Sequence, residues 1–149
     1  MANLIMSIDQ GTTGTTVALF DERCEMKAKV NTEFRQIFPK PGWVEHDLRD
    51  IWTSVTTSIQ AALEQAGVDG RSITAIGITN QRETTCLWDR KTGEGIHNAI
   101  VWQCRRTAPF CQELKKAGHE EMFRSRTGLV LDPYFSGTRL RWLPDEVDG

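Results

Sequence analysis

The sequence has 149 residues and lacks several features that mark common functional classes. It has no basic run, and its 18 Lys and Arg stand against 20 Asp and Glu, for a formal net charge of −2. Nucleic acids are bound largely through clustered basic residues that neutralise phosphates, so we expect no nucleic-acid partner. No apolar run approaches the ~20 residues that cross a bilayer, and residues 1–9 lack a charged leader and a cleavage site. We therefore expect no membrane partner and a cytoplasmic protein.

Cysteine and histidine are sparse and show none of the spacings of metal or redox sites. The motifs CxxC and HExxH are both absent, so the sequence has no signal for a zinc site or a dithiol pair. We expect reduced thiols that pack among apolar neighbours, and histidines without a metal. The four cysteines are Cys24, Cys86, Cys104 and Cys111.

Apolar side chains are present in the amount that a folded core needs, at 39% hydrophobic residues, and the length suits one compact domain. β-Prone segments over residues 3–9, 15–20 and 24–34 predict three consecutive antiparallel strands. Glycines and small hydroxyl residues over residues 11–14 predict a tight turn between the first two strands. The chain is therefore expected to begin with a three-stranded meander.

The clearest helix of the sequence follows a loop rich in proline and glycine. Asp47 is placed to cap its first turn, and Gly67 is placed to end it. Apolar residues recur at helical spacing and predict one buried face, formed by Leu48, Ile51, Trp52, Val55, Ile59, Leu63 and Ala66. Later segments predict strands over residues 72–79, 84–88 and 98–102, and helices over residues 107–117, 119–125 and 137–143, the last ending before Pro144.

A first candidate site lies in the turn after the first strand, where residues 9–16 read DQGTTGTT. Glycines allow backbone amides to converge on an anion, and threonine hydroxyls add donors. A carboxylate at the end of a strand, here Asp9, is able to hold Mg²⁺ through water. The turn is therefore a candidate phosphate site, although an ordinary hairpin turn explains the same residues equally well.

Five segments of the sequence occur, in the same order, in one enzyme family. They read DQGTT over residues 9–13, FPKPGWVEHD over 38–47, IGITNQRETT over 76–85, NAIVWQCRRT over 98–107 and TGLVLDPYFSGT over 127–138. The chain resembles the amino-terminal portion of glycerol kinases, of the FGGY carbohydrate kinase family, from about residue 4 to its end. The resemblance implies ATP-dependent phosphorylation of glycerol to glycerol 3-phosphate, with ATP and Mg²⁺ required.

The resemblance also implies a fold, the ribonuclease-H-like or actin-like ATPase fold, of the α/β class with a mixed sheet and flanking helices. The predicted order of three strands, a helix and a further strand is typical of it. Residues 1–149 are then a partial amino-terminal kinase domain, with the second domain absent. In the family the base that activates the attacking hydroxyl lies further along, so no catalytic residue is assigned here. We expect a piece of a longer kinase that is inactive by itself.

The resemblance assigns the substrate contacts to four residues. Arg82 and Glu83 would hold two hydroxyls of glycerol, Tyr134 would reach the third, and Trp102 would cover the carbon edge. Neighbours on a regular strand point to opposite faces, so Arg82 and Glu83 can share one small ligand only where the strand has ended. We therefore predict irregular backbone over residues 80–83. A solvated charge pair at Arg82 and Glu83, with Trp102 and Tyr134 as core residues, is the alternative.

The resemblance places the nucleotide at the first turn. Asp9, Thr12, Thr13 and Gly14 would face Mg²⁺ and the ATP phosphates, with Asp9 as the metal contact. The family commonly has an arginine where this chain has Thr16, so a permanent cation beside the phosphates is replaced by a neutral hydroxyl. We expect weaker nucleotide binding or slower transfer from this difference.

Two other functions are compatible with the same residues. Another FGGY kinase would act on a pentose or related polyol, which needs more room than Trp102 and Tyr134 leave. A non-catalytic polyol-binding or interaction module would keep the Arg82 and Glu83 pocket without a working phosphate site. Self-association is a further expectation from the family, although no residue in the sequence fixes an interface.

Overall fold

The computed structural model describes residues 3–147 of the chain. The described residues form two compact units, unit 1 with residues 3–35 and 47–81 and unit 2 with residues 36–46 and 82–147. The strands are β1 (Leu4–Gln10), β2 (Gly14–Phe20), β3 (Met26–Glu33), β4 (Glu45–His46), β5 (Ile73–Asn80) and β6 (Ala99–Ile100). The helices are α1 (Leu48–Ala66), α2 (Ala108–Lys116), α3 (Glu120–Thr127) and α4 (Ser136–Glu146), with a short 3₁₀ turn at Gly70–Ser72.

Unit 1 is built on a four-stranded sheet in the order β3-β2-β1-β5. The first three strands are antiparallel neighbours, and β5 runs parallel to β1, so the sheet is mixed. The predicted meander and the predicted mixed sheet are therefore confirmed. Alternate residues of β1 point inward and are buried, as a strand with one covered face requires, and these residues are Leu4, Met6 and Ile8.

The long helix of unit 1 has the predicted boundaries. The Asp47 carboxylate accepts the amide of Arg49 at 2.8 Å, which satisfies a donor that the first turn leaves free. Gly67 ends α1 in the left-handed conformation, at φ 66°. The helix covers β2 and β3 and closes an apolar core with side chains such as Val17 and Leu19, both 0% exposed.

The predicted buried face of α1 is only partly right. Its buried residues are Ser54, Ser58 and Ala62, and Trp52 is 68% exposed. The serines lie against the sheet because their hydroxyls meet threonines there: Ser54 Oγ lies 2.7 Å from Thr15 Oγ1, and Ser58 donates to Thr32 Oγ1 at 2.7 Å. Each hydroxyl finds a hydrogen-bond partner in the other, so these serines can be buried without the cost of an unsatisfied polar group. The predicted apolar residues therefore lie beside the buried face of α1 rather than at its centre. Its partly buried members, Val55, Ile59, Leu63 and Ala66, pack beside the core.

Unit 2 contains less regular structure than the sequence predicts. The strand expected over residues 84–88 is wrong, because this segment makes only isolated bridges, from Thr85 to Ile100 and from Trp88 to Gly95. The end of α4 is also later than expected, since the helix continues past Pro144 to Glu146. A proline so near a helix end forfeits one backbone hydrogen bond, and its fixed φ remains helical. The other two expected helices are confirmed as α2 and α3.

A buried charge pair lies at the centre of unit 2. Arg106 Nη2 lies 2.6 Å from Glu45 Oε1, with the two side chains 0% and 7% exposed. The guanidinium also stands 4.0 Å from the ring centre of Trp43 and 4.6 Å from that of Trp142, within the range of cation–π attraction. Burial acts to raise the pKa of Glu45, but hydrogen bonds from Asn98 and Arg106 outweigh it and lower that pKa below its ordinary value.

Two further expectations concern the surroundings of the cysteines and the presence of membrane-spanning helices. Cys104 and Cys111 are buried free thiols, whereas Cys24 is exposed, so apolar surroundings were wrongly expected for Cys24. Among the helices of residues 3–147, none has both the length and the apolar character that a membrane span requires.

Candidate functional site

The backbone leaves strand geometry directly after β5, as the neighbouring Arg82 and Glu83 require if both are to reach one ligand. The strand ends at Asn80, residues 82 and 83 form a turn, and Glu83 has φ 65°. A non-glycine residue in the left-handed region is uncommon and costs conformational energy, so surrounding contacts must hold it. The predicted irregularity over residues 80–83 is confirmed.

The carboxylate of Glu83 is fixed at the first residue of α4. Its Oε2 accepts the amide of Ser136 at 2.9 Å and the hydroxyl of Ser136 at 2.7 Å. The hydroxyl of Ser136, followed by its amide, lowers the pKa of Glu83 against the opposing influence of burial, and the charges of Arg139 and Arg82 lower it further. Glu83 is therefore ionised at neutral pH and serves only as an acceptor, the role needed toward a ligand hydroxyl.

Two aromatic side chains of unit 2 lie together near this carboxylate. The ring centres of Trp102 and Tyr134 are 5.7 Å apart at an interplanar angle of 67°, and Tyr134 is 36% exposed. The amide of Trp102 lies 3.3 Å from the hydroxyl of Thr84, which follows Glu83 in the chain. Tyr134 stands two residues before Ser136, the partner of Glu83. The structure therefore brings Glu83, Trp102 and Tyr134 into one neighbourhood.

Arg82 has a different setting from its neighbour. It is exposed, and its guanidinium makes no hydrogen bond or ion pair within residues 3–147, while its charge still lowers the pKa of Glu83. An exposed arginine beside an ionised carboxylate offers donors next to acceptors. That combination suits a ligand rich in hydroxyl groups.

The residues predicted for the nucleotide lie in unit 1, and the first of them, Asp9, lies on the sheet face away from α1. Ile8 points into the core below α1, so its neighbour Asp9 points to the opposite face, where it is exposed. Asp9 stands opposite Thr16, and Thr16 stands opposite Asn31 on the next strand. Asn31 Nδ2 donates to Thr16 Oγ1 at 2.9 Å. A polar row of Asp9, Thr16 and Asn31 therefore crosses three strands near the turn.

The turn over residues 11–14 needs glycine for space rather than for an unusual φ. Neither Gly11 nor Gly14 has a positive φ. A Cβ atom on Gly14 would stand 2.8 Å from the carbonyl oxygen of Thr32, closer than atoms pack. The amide of Gly11 already donates to the carbonyl of Gly14 at 2.9 Å, so it does not join the converging amides that the sequence suggested. Thr13 lies exposed at the tip of the turn.

The carboxylate beside the turn suits a metal ion whose other ligands are phosphate oxygens and waters. Within residues 3–147, no group of three or more His, Cys, Asp or Glu side chains is placed to hold a metal ion. Mg²⁺ bound with phosphates commonly uses one or two protein carboxylates and keeps several waters. The exposed carboxylate of Asp9 fits that requirement, whereas a closed protein cage is not formed by these residues.

Sequence reasoning missed two residues that hold this site together, Ser136 and Arg139. Ser136 fixes the carboxylate of Glu83, and Arg139 donates to the backbone carbonyls of Glu83 and Trp102. Arg139 precedes the buried Leu143 by four residues and shares its helix face, which places a charge where apolar residues are expected. An arginine at such a position can be recognised as unusual only once the buried face of α4 is known.

Comparisons with known proteins show the family of the chain. Residues 4–149 match the N-terminal domain of the FGGY family of carbohydrate kinases. The chain is 57% identical over 145 residues to glycerol kinase 2 of Thermotoga maritima, which covers 97% of this chain and 29% of that protein.

Solved structures share the fold. A glycerol kinase of Plasmodium falciparum with ADP matches with a TM-score of 0.88 and 34% identity, over 97% of this chain and 29% of that one. A gluconate kinase of Lactobacillus acidophilus matches with a TM-score of 0.88 and 25% identity, over 98% of this chain and 29% of that one. The chain thus spans under a third of each relative. Because the family match extends over nearly its whole length, the chain belongs to the FGGY family of carbohydrate kinases, in the N-terminal domain of that family.

Proposed function

We propose that the protein containing this chain phosphorylates a terminal hydroxyl of glycerol with ATP, giving glycerol 3-phosphate and ADP. The observation that carries the proposal is the Glu83 carboxylate, fixed by Ser136, on a stretch of backbone that Arg139 joins to those of Trp102 and Tyr134. The similarity to proteins named glycerol kinase, at 57% and 34% identity, supports glycerol over a sugar acid, since the gluconate kinase is 25% identical.

The contacts of unit 2 suit a small triol. Glu83 accepts hydrogen bonds from hydroxyl groups, and Arg82 donates to them from an exposed guanidinium. The face of Trp102 covers the carbon atoms, and the hydroxyl of Tyr134 reaches the remaining oxygen. Close aromatic rings leave little room for a longer sugar, which is the steric basis of the proposed preference.

The contacts of unit 1 suit a nucleotide's phosphates. Thr12 and Thr13 donate hydroxyl hydrogens to phosphate oxygens, while Gly14 allows the close strand pairing that shapes the turn. The carboxylate of Asp9 would hold Mg²⁺ through water. When bound, Mg²⁺ neutralises charge on the phosphates during transfer. The ADP found in the Plasmodium falciparum relative supports ATP as the phosphoryl donor.

The proposal extends to the organisation of the whole protein. Residues 1–149 form a partial amino-terminal kinase domain, and the base that accepts the substrate's proton, an aspartate, belongs to the rest of the protein together with the adenine pocket. The chain by itself therefore binds without turning over. We also propose a cytoplasmic location and self-association of the complete protein.

Phosphorylation by the complete protein is the direct test. Purified full-length protein is given Mg-ATP with glycerol, xylulose or gluconate, and ADP release is followed by a coupled assay. We expect turnover with glycerol at least tenfold above the other two in kcat/KM, a difference of about 1.4 kcal/mol. A sugar or sugar acid as the best substrate identifies another FGGY kinase, and this outcome would overturn the proposal.

Calorimetry separates the two groups of contacts. Asp9→Ala is expected to weaken Mg-ATP binding while glycerol binding is kept, and Glu83→Gln is expected to do the reverse. Asp69→Asn and Glu121→Gln are matched controls, since both change an exposed carboxylate outside the proposed contacts. Glycerol binding without any nucleotide binding in the native protein identifies a non-catalytic polyol-binding module instead.

A further inference from the structure

Arg139 has the largest fully buried side chain among the described residues, at 0% exposure. Its Nη1 donates to the carbonyl of Glu83, and its Nη2 donates to the carbonyls of Trp102 at 2.7 Å and Pro133 at 2.5 Å. Pro133 directly precedes Tyr134 in the chain. One guanidinium thus joins the three stretches of backbone that carry Glu83, Trp102 and Tyr134.

Burying this guanidinium has a cost that the charges of Glu83 and Asp132 offset only in part. Arg139 forms no ion pair within residues 3–147, and its Nε has no hydrogen-bond partner there. Burial lowers the pKa of Arg139, in the direction expected when a cation loses water. An apolar side chain of similar volume would avoid this cost but would give no hydrogen bond to the three carbonyls. We conclude that a guanidinium is present at this position to bond the three carbonyls, and not merely to fill the core.

The three stretches that Arg139 joins lack regular secondary structure. Glu83 has φ 65°, Trp102 lies in a turn after β6, and Pro133 lies in the turn before α4. A bridge from Thr85 to Ile100 joins the first two segments, and Ser136 joins the first to the third through the Glu83 carboxylate. Arg139 adds hydrogen bonds to the backbone of all three segments at once. A guanidinium is planar and presents its N–H groups in a fixed fork, so it fixes the relative positions of the oxygens that it bonds.

We propose that Arg139 is a positioning residue that sets the spacing of the polyol contacts, by holding the backbone at Glu83, Trp102 and Tyr134 without touching the substrate. This inference rests on the proposed function, since it assigns these three residues to one polyol. Without the guanidinium, the three carbonyls lose the donor that they share, and the turn at Glu83, whose carbonyl also accepts from Thr85 and Ser136, loses one of the contacts that hold it. The polyol contacts should loosen, while the nucleotide contacts of unit 1 should not.

The test is steady-state kinetics of the full-length protein with Arg139→Met. We expect the KM for glycerol to rise at least tenfold, while the KM for ATP stays within twofold of its native value. Arg139→Lys keeps a buried cation but not the planar fork, so its KM for glycerol should lie between those of Arg139→Met and the native protein. Arg141→Met is the matched control, because Arg141 lies on the same helix but is exposed and pairs with Asp145. It should leave both constants unchanged.

Several results would overturn the inference. These are an unchanged KM for glycerol in Arg139→Met, an equal rise in both KM values, and an Arg139→Lys variant as impaired as Arg139→Met. If Arg139→Met is insoluble, Arg139→Gln keeps one donor group and is judged by the same split between the two KM values. Failure of the native protein to phosphorylate glycerol overturns the proposed function alone, and the Arg139 series is then measured with whichever sugar or polyol the native protein phosphorylates.

Discussion

The interiors of the two units are stabilised by different kinds of contact. Unit 1 closes an apolar core between its sheet and α1, and its buried polar side chains on that helix are hydroxyls in mutual pairs. Unit 2 contains two arginines with fully buried or almost fully buried side chains, Arg106 and Arg139, each with several directional partners. Apolar burial is non-directional, whereas each hydrogen bond of an arginine fixes an atom in a known direction.

This difference shows which interactions fix the positions of atoms in each unit. An apolar core tolerates similar side chains as long as volume is kept, because the free energy depends mainly on the area removed from water. A network around a buried charge tolerates far less, because an unpartnered charge is costly. Unit 2 carries the proposed triol contacts, and directional bonds hold the turns on which they stand. Unit 1 presents Asp9 on a strand, whose hydrogen-bond ladder already fixes the backbone, and Thr12 and Thr13 in the tight turn that joins this strand to the next.

The largest effect should come from breaking the charge pair in unit 2. Arg106→Met leaves the carboxylate of Glu45 buried without its cation, and loss of one partner of a buried pair costs about 3–5 kcal/mol. We expect the amides of unit 2 to exchange with solvent much faster in hydrogen-exchange measurements on the full-length protein. Because the pKa of Glu45 is lowered in the folded protein, the pair's contribution is present above the unfolded pKa and is lost as the pH falls through the folded pKa. The variant should lose this acid sensitivity.

Unit 1 supplies the matched control for that experiment. Arg35 and Asp50 form an ion pair of 3.6 Å whose side chains are 68% and 39% exposed. Exposed pairs contribute about 0–1 kcal/mol, so Arg35→Met should leave the exchange rates of unit 1 nearly unchanged. Equal effects of the two substitutions would contradict the distinction between the units.

The next largest effect should arise in unit 1 from crowding. Gly14→Ala puts a Cβ atom against the backbone oxygen of Thr32, so β2 and β3 must move apart, at a cost of about 1–3 kcal/mol. The free energy of unfolding and the exchange of the β2 and β3 amides measure this cost. Gly77→Ala is the control, since a Cβ atom there meets nothing within 4 Å and the residue has no positive φ. Equal destabilisation by both substitutions would show that space at Gly14 is not the reason for glycine.

Periodicity predicted most of unit 1 because its elements depend on alternating or helical apolar residues. It placed the buried face of α1 incorrectly, since Ser54 and Ser58 are buried by pairing with threonines from distant strands. Such pairs depend on three-dimensional neighbours rather than on spacing along the chain. The sequence suggested the phosphate turn but did not show that Gly11 uses its own amide within it.

Unit 2 was less predictable for the same physical reason. The β-prone residues 84–88 form only isolated bridges, so strand propensity without a paired partner does not produce a strand. The irregular backbone at Glu83 was predictable because the resemblance assigns Arg82 and Glu83 to one ligand, whereas adjacent residues of a strand point to opposite faces. The contributions of Ser136 and Arg139 were not predictable. Ser136 bonds the carboxylate of Glu83 and Arg139 bonds backbone carbonyls, and neither kind of contact leaves a pattern of residue types along the chain.

A smaller effect should come from the helix end that holds Glu83. Ser136→Ala removes the hydroxyl bond that contributes most to lowering the pKa of Glu83, so that pKa should rise. We expect kcat/KM for glycerol to fall about tenfold, equivalent to a bond of ~1.4 kcal/mol to a charged group. A carboxylate must be ionised to accept from glycerol, so activity should be lost at a higher pH in the variant as the solution becomes more acidic. Ser125→Ala, in α3, is the control, and an unchanged acid limb in Ser136→Ala would contradict the role of Ser136.

The smallest effect should appear at the polar row of unit 1. Thr16→Arg adds a cation directly opposite Asp9, with Cβ atoms about 4.5–5.5 Å apart in such cross-strand pairs. If nucleotide phosphates lie against this face, the cation should lower the KM for ATP about threefold at low ionic strength, and salt should weaken the gain. Thr16→Gln also loses the hydroxyl that accepts from Asn31 but adds no charge, so it separates the two consequences of the substitution. A KM for ATP that is equal in both variants would place the phosphates elsewhere. The sheet of unit 1 would then not contact the nucleotide. The two units would still differ in the interactions that stabilise them, but not in that one binds the nucleotide and the other glycerol.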